Sequence, residues 1–218
     1  MDEALRLARR LSRVVHDPRV LGAVASVPRE RFIGPRERSR AYENVALPID
    51  CDQTISQPVV VARMLELLEL DAGDRVLDVG TGSGYHAALL SLLAAEVWTI
   101  ERHPELSVTA RATLAELGYA NVICVVGDGW RGLAEQAPFD AINVAAATGP
   151  RLPEALEHQL ADGGRLVAPV GADRQFLTRV RRTQQGLVRE RLDPVRFVPL
   201  VRDPDGPQRS DPERGDGG

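Results

Sequence analysis

From residue 58 onward the chain alternates short apolar runs with amphipathic stretches, and that alternation constrains the fold more than any other feature. Apolar runs at 74–80, 96–101, 121–128, 139–146 and 163–171 read as strands. Between them, 86–94, 104–118 and 153–160 read as helices, the second opening on Pro104 and closing on Gly118. Strands separated by helices form a mainly parallel sheet covered on both faces. FLTRVRR and LVRERL, flanking Gln184, Gln185 and Gly186, add a hairpin and hence an antiparallel edge. The expected sheet has seven strands. Upstream, 3–15 and 18–26 have helical spacing, 29–52 is irregular, and 58–70 reads as a buried helix with Pro58 in its first turn. We therefore expect one domain over 1–202: N-terminal helices and a covering loop over 1–57, and an α/β core over 58–202. The Pro-, Gly- and Asp-rich stretch 203–218 is expected to be a disordered tail.

Composition excludes several classes. The formal charge is −4, with 27 basic against 31 acidic residues, which argues against a general affinity for nucleic acid or anionic membrane. No segment approaches the roughly 20 apolar residues needed to span a bilayer, and the N-terminus lacks the apolar core of a signal peptide. Cys51 and Cys124 lie in no CxxC spacing and the histidines form no HxxxH pair, so no metal is expected. Two cysteines in a core-rich chain are expected to stay reduced in a cytoplasm.

The chemistry is concentrated at predicted strand ends. Asp78-Val79-Gly80-Thr81-Gly82-Ser83-Gly84 follows one strand and precedes a helix, the context in which a glycine-rich turn admits a ligand to the backbone. Read alone, it is also a tight connection with no ligand. Glu101 ends the next strand, 21 positions after Gly80, where a carboxylate can accept from two ribose hydroxyls; a helix-capping acid would look the same. Asp128, between Gly127 and Gly129 after the third strand, can accept from an adenine amino group, although Asp-Gly is also a common turn pair. Three such features on three consecutive strands point to a nucleoside. The GxGxG spacing followed by Tyr85 departs from the dinucleotide GxGxxG, and Tyr85 crowds the position of a phosphate. Asp78 would repel a diphosphate and suit the cationic amino group and sulfonium of S-adenosylmethionine, directly or through water. The reading is a Rossmann-like S-adenosylmethionine-dependent methyltransferase fold; a nicotinamide oxidoreductase is the rival class.

The similarity extends beyond this loop. Ala41-Tyr42-Glu43-Asn44, Leu47-Pro48-Ile49, Gln53-Thr54-Ile55-Ser56-Gln57-Pro58, Val76 to Tyr85, Glu101-Arg102, Gly118-Tyr119, Val126 to Gly129, Ala137 to Ile142 and Pro194 to Leu200 resemble the protein-L-isoaspartate (D-aspartate) O-methyltransferases. The likeness covers roughly residues 5–201, and Thr54 to Pro58 is its most specific part. It implies methyl transfer from S-adenosylmethionine, yielding S-adenosylhomocysteine, to the free carboxylate of isoaspartyl or D-aspartyl residues. The ester then cyclises to a succinimide, whose hydrolysis returns some normal aspartate. It implies Ser56 as the catalytic hydroxyl, Thr54 and Ile55 bordering the cofactor's methionine end, isoaspartyl peptides as partners, and a monomer. The acceptor chemistry agrees: a carboxylate of pKa about 4 is already a nucleophile and needs alignment more than a base. A dedicated enzyme acting on normal aspartate in one partner peptide is the close rival; a relative that only binds is a third class, against which the retained Ser56, Gly80, Glu101 and Asp128 argue. Asp50-Cys51-Asp52 departs from the family pattern, bringing carboxylates that would discourage an anionic substrate unless they point away; Cys51 is expected to be buried filler, with a reactive thiol near the site as the alternative.

Overall fold

The computed structural model describes residues 3–202; the tail expected to be disordered lies outside the described residues. Helices α1 (Glu3–Leu11) and α2 (Pro18–Ser26) are followed by two single-turn 3₁₀ helices, Arg29–Phe32 and Arg38–Arg40. A small hairpin pairs β1 (Leu47–Pro48) with β2 (Thr54–Ile55), and α3 (Pro58–Leu68) follows. The core then runs β3 (Arg75–Val79), α4 (Tyr85–Ser91), β4 (Glu96–Glu101), α5 (Pro104–Glu116), β5 (Val122–Val126), β6 (Phe139–Val144), α6 (Glu154–His158), β7 (Leu160–Val170), β8 (Gln175–Thr183) and β9 (Gly186–Val195). Among the described residues, no helix is long and apolar enough to cross a membrane.

The sheet order is β5-β4-β3-β6-β7-β8-β9. Strands β3 to β7 pair in parallel, and β8 and β9 close the edge antiparallel, as the strand–helix alternation and the closing hairpin require. From β3 the chain winds first toward β5, then returns to lay β6 on the other side. Such a reversal opens a crevice at the carboxyl ends of the strands. The two-residue period of β3 separates two cores. Val76 packs with α1 to α4, whereas Leu77 and Val79 pack with Phe139, Ile142, Leu156 and Leu166 on the opposite face.

Two helices are shorter than their sequence patterns. The 86–94 helix stops at Ser91 because Asn121 Nδ2 donates to the carbonyls of Ser91 and Ala94, at 3.0 and 3.2 Å, in place of a further turn. The 153–160 helix ends at His158 because the Phe139 amide captures the Gln159 carbonyl at 2.9 Å and Leu160 joins β7. The hairpin inside the irregular stretch had no sequence signal. Its turn holds Cys51 at φ +57° and Asp52 at φ +55°, positions where Asn-Gly is the usual pair.

The glycine turn leads into α4 through Gly84, at φ +89°. A Cβ there would meet the Ala110 Cβ at 3.2 Å and Leu114 Cδ1 at 3.3 Å, so Gly84 also sets how closely α4 approaches α5. Gly84→Ala combines left-handed strain with crowding and is expected to cost about 2 kcal/mol or more. Chemical denaturation checks this; an unchanged midpoint would contradict it.

Candidate active site

The ends of β3, β4 and β5 are fastened to one another. Gly80 and Thr81 donate their amides to the Ile100 carbonyl at 2.9 and 3.3 Å, and the Gly127 amide donates to the Glu101 carbonyl at 2.9 Å. The Glu101 carboxylate accepts from the Gly82 amide at 2.9 Å through Oε2 and from the His103 amide at 3.1 Å through Oε1. Glu101 is only 6% exposed, so it is not the solvated capping acid that its position also allowed. Each oxygen has one lone pair engaged, and the second can still accept from a ligand hydroxyl.

Above these crests lies a cleft open to solvent. Gly80, Gly82, Ile100, Glu101 and Gly129 form its floor, and Val198, Pro199 and Leu200 form one wall. That wall is held by reciprocal bonds: Ala147 N to Val198 O and Leu200 N to Ala147 O, both 2.8 Å. Asp128 sits beside this floor. Its Oδ1 accepts from the Trp130 amide at 2.9 Å, while the buried Oδ2 has no hydrogen-bond partner, only the Arg131 guanidinium at 3.6 Å. An unsatisfied buried acceptor is costly, and a donor on a bound ligand would relieve it. Gly129 has no spare room: a Cβ would meet Val79 Cγ1 at 2.6 Å.

Asp78 does not reach the cleft. It is fully buried within a polar row across three strands, in register with Thr99 on β4 and Asn143 on β6. Asn143 Nδ2 donates to Oδ1 at 2.7 Å and Thr99 Oγ1 to Oδ2 at 2.9 Å, and Thr99 in turn meets the Thr81 hydroxyl at 2.6 Å. Burial pushes the Asp78 pKa up to about 6 against the lowering effect of these hydrogen bonds, and Glu101 adds to the rise. Of the two routes to a ligand's cationic groups, direct or through water, direct contact is not made from this buried position, and Asp78 braces the glycine turn from below.

The hairpin supplies the other side. Thr54 borders the cleft, and Thr54, Ile55 and Ser56 line a narrow recess with Gly80, Gly82, Tyr85 and His86. Burial pulls the His86 pKa down to about 4, so this imidazole is neutral at pH 7. Ser56 also faces an outer groove with Gln57, Ala145, Arg196 and Phe197. Its backbone is held by Arg29, a fully buried guanidinium that donates Nη2 to the Ser56 carbonyl at 3.0 Å and Nε to the Ala41 carbonyl at 2.8 Å. Arg29 lies 4.8 Å from the centroid of the Tyr85 ring, and Phe32 meets that ring edge-on. Burial pushes the Tyr85 hydroxyl up to a pKa of about 12 against the lowering effect of the nearby Arg29, so it stays protonated.

The family profile described as protein-L-isoaspartate(D-aspartate) O-methyltransferase matches residues 2–205. The chain belongs to this family. Among curated relatives, the protein-L-isoaspartate O-methyltransferase of Koribacter versatilis is 55% identical over 87% of this chain and 85% of its own length. That of Roseiflexus castenholzii is 53% identical over 88% of both chains. A solved protein-L-isoaspartate O-methyltransferase superposes with a TM-score of 0.80 at 30% identity, over 90% of this chain and 65% of that longer one. A Plasmodium falciparum structure described as such an enzyme, in complex with S-adenosyl-L-homocysteine, gives 0.80 at 26% identity over 92% of this chain and 99% of its own.

In this isoaspartate methyltransferase family member, the structure gathers most of the residues singled out from sequence. Gly80, Gly82, Glu101 and Gly129 share one cleft with Thr54, and Ile55, Ser56 and Tyr85 line the adjoining recess. Asp128 lies just outside the cleft lining and Asp78 well beneath it. Cys51 is half-buried on the hairpin turn rather than buried filler. Asp50 and Asp52 are exposed and do not line the groove beside Ser56. Arg102 on the cleft rim and the Val198–Leu200 wall stood in the sequence only as family motif, with no site role, and His103 on the rim and Arg29 under Ser56 were missed. The wall depends on a bridge between Ala147 and Pro199, a long-range pairing that no local pattern announces.

The Asp78 shift carries a sign. Its folded pKa lies above the ordinary 3.8, so the stabilising share belongs to the protonated form and is lost as pH rises through about 6. Relative to Asp78→Asn, wild type should lose about 2 kcal/mol between about pH 4 and 7. Urea unfolding of both proteins across that range checks it; a pH-independent difference would contradict it.

Proposed function

We propose that the cleft holds S-adenosylmethionine and that the groove presents the free carboxylate of an L-isoaspartyl or D-aspartyl residue for methyl esterification. One observation carries the assignment: cleft and groove share Thr54, Ala145 and Val198 as a common wall, with Ser56 on the groove side of that junction. The unsatisfied Asp128 Oδ2 and the spare lone pairs of Glu101 fit the donor groups of an adenosine. When bound, S-adenosylmethionine supplies a methyl group made electrophilic by its sulfonium.

The chain's own residues then position the acceptor. The Ser56 hydroxyl donates to one carboxylate oxygen, fixing the other toward the junction. Arg29 keeps the Ser56 backbone in place from below. Arg196, exposed on the groove and the charged residue among those lining it, offers a cation to an anionic peptide. No deprotonation is needed, because the acceptor is ionised at neutral pH. Phe197 and Val198 shield the junction from water. The product ester is a good precursor of a succinimide, which fits repair of spontaneously damaged aspartyl and asparaginyl sites. We place this activity in the cytoplasm, on flexible protein segments rather than nucleic acid or membrane, and in a monomer. The two free cysteines and the acidic balance of the chain support that reading.

Methanol release should be high on an isoaspartyl peptide and near background on its normal-aspartyl twin. Preference for the normal twin would overturn the repair reading. Ser56→Ala should lower kcat/KM by about 10²–10³-fold, while S-adenosylhomocysteine affinity stays close to wild type. Unchanged turnover would remove Ser56 from the reaction.

A further inference from the structure

We propose that Cys51, His103 and Glu105 form a binding site for one borderline-soft divalent cation of the zinc type, and that its occupancy staples together two lips of the cofactor cleft. The thiol sulfur, a ring nitrogen and a carboxylate oxygen of these residues all lie within 4.8 Å of one another. Ligands of a tetrahedral zinc sit about 3.5 Å apart, so small side-chain rotations complete the set. A mixed sulfur, nitrogen and oxygen donor set selects zinc-like ions over calcium or magnesium. Three protein ligands leave a fourth position for water.

The site is tertiary in origin. Cys51 lies on the β1–β2 turn, whereas His103 and Glu105 lie at the start of α5, more than fifty positions later. Cys51 and His103 are half-buried and Glu105 is exposed, which leaves the cluster reachable from solvent. The charges of Glu105, Asp50, Glu101 and Asp52 all act on the Cys51 sulfur, giving a negative field that draws a cation. As the metal–sulfur bond forms, the thiol proton passes to solvent and no electron is transferred.

Position gives the site its consequence. Gln53 and Thr54, two and three positions after Cys51, line the cleft, as do Arg102 and His103. A cation held by both segments restrains their separation and so slows passage of the nucleoside. The metal has no part in methyl transfer, since Ser56 and the groove are lined by other residues.

Cobalt(II) titration of the full, metal-stripped chain under thiol-free reductant tests the site. A thiolate-to-cobalt charge-transfer band should saturate at one equivalent, be displaced by zinc and be lost in Cys51→Ser. Zinc should also slow S-adenosylhomocysteine release from wild type about tenfold, the scale of one added contact, and leave Cys51→Ser unaffected. Absence of the band, its persistence in Cys51→Ser, or a band with unchanged release would overturn the proposal. The release measurement rests on the cofactor reading of the cleft and the band does not. A chain that binds no S-adenosylhomocysteine therefore fails that reading, and the band alone then decides the site.

Discussion

The site depends on the Glu101 carboxylate and the backbone around it. One residue receives the Gly82 amide on one oxygen, the His103 amide on the other and the Gly127 amide on its carbonyl. It thereby ties the glycine turn after β3, the entry to α5 and the loop after β5 into a single rim. Parallel strands alone do not fix the relative positions of the loops that follow them. Here a nearly buried anion does so, with hydrogen bonds to main-chain donors that a substitution elsewhere cannot readily replace. The same carboxylate faces the cleft with lone pairs to spare, so the group that organises the rim is also placed to read a ligand.

Charge is layered around this rim. Beneath it, Asp78 joins Thr99 and Asn143 in a fully buried polar row that crosses β4, β3 and β6. Such a row is costly, the more so because Asn143 Oδ1 has no hydrogen-bond partner, and in return it fixes how the three strands align under the turn. On the other side, the buried Arg29 links the 3₁₀ turn after α2 to the hairpin carrying Ser56. The N-terminal extension is thus part of the site's construction: it carries the cation that holds the hydroxyl-bearing segment against Tyr85 and the glycine turn.

Sequence revealed the parts governed by local rules. Buried parallel strands are apolar runs between turn residues, so β3, β4 and β6 could be read directly, and the residues at their ends pointed to a nucleoside. Local rules did not reveal features set by neighbours distant in the chain. The charge of Asp78 suits a ligand's cationic groups directly or through water, but only the fold shows that its side chain is buried under the sheet crest, bonded to Thr99 and Asn143. The β1–β2 hairpin went unseen because Cys51 and Asp52 occupy left-handed positions without a glycine. The Val198–Leu200 wall and the Cys51, His103 and Glu105 cluster exist only once the chain has folded. The family resemblance, by contrast, singled out Thr54 to Ser56 on motif alone, and these residues do meet the cleft and its recess.

The central claim is that three neighbouring strand ends serve one adenosine. Calorimetric titration of S-adenosylhomocysteine into wild type, Glu101→Gln and Asp128→Asn tests it most directly, because both substitutions preserve shape and change only acceptor character. Each variant should bind about ten- to a hundredfold more weakly, the loss of a charge-assisted hydrogen bond, with its thermal unfolding still cooperative. Wild-type affinity in either well-folded variant would contradict the claim.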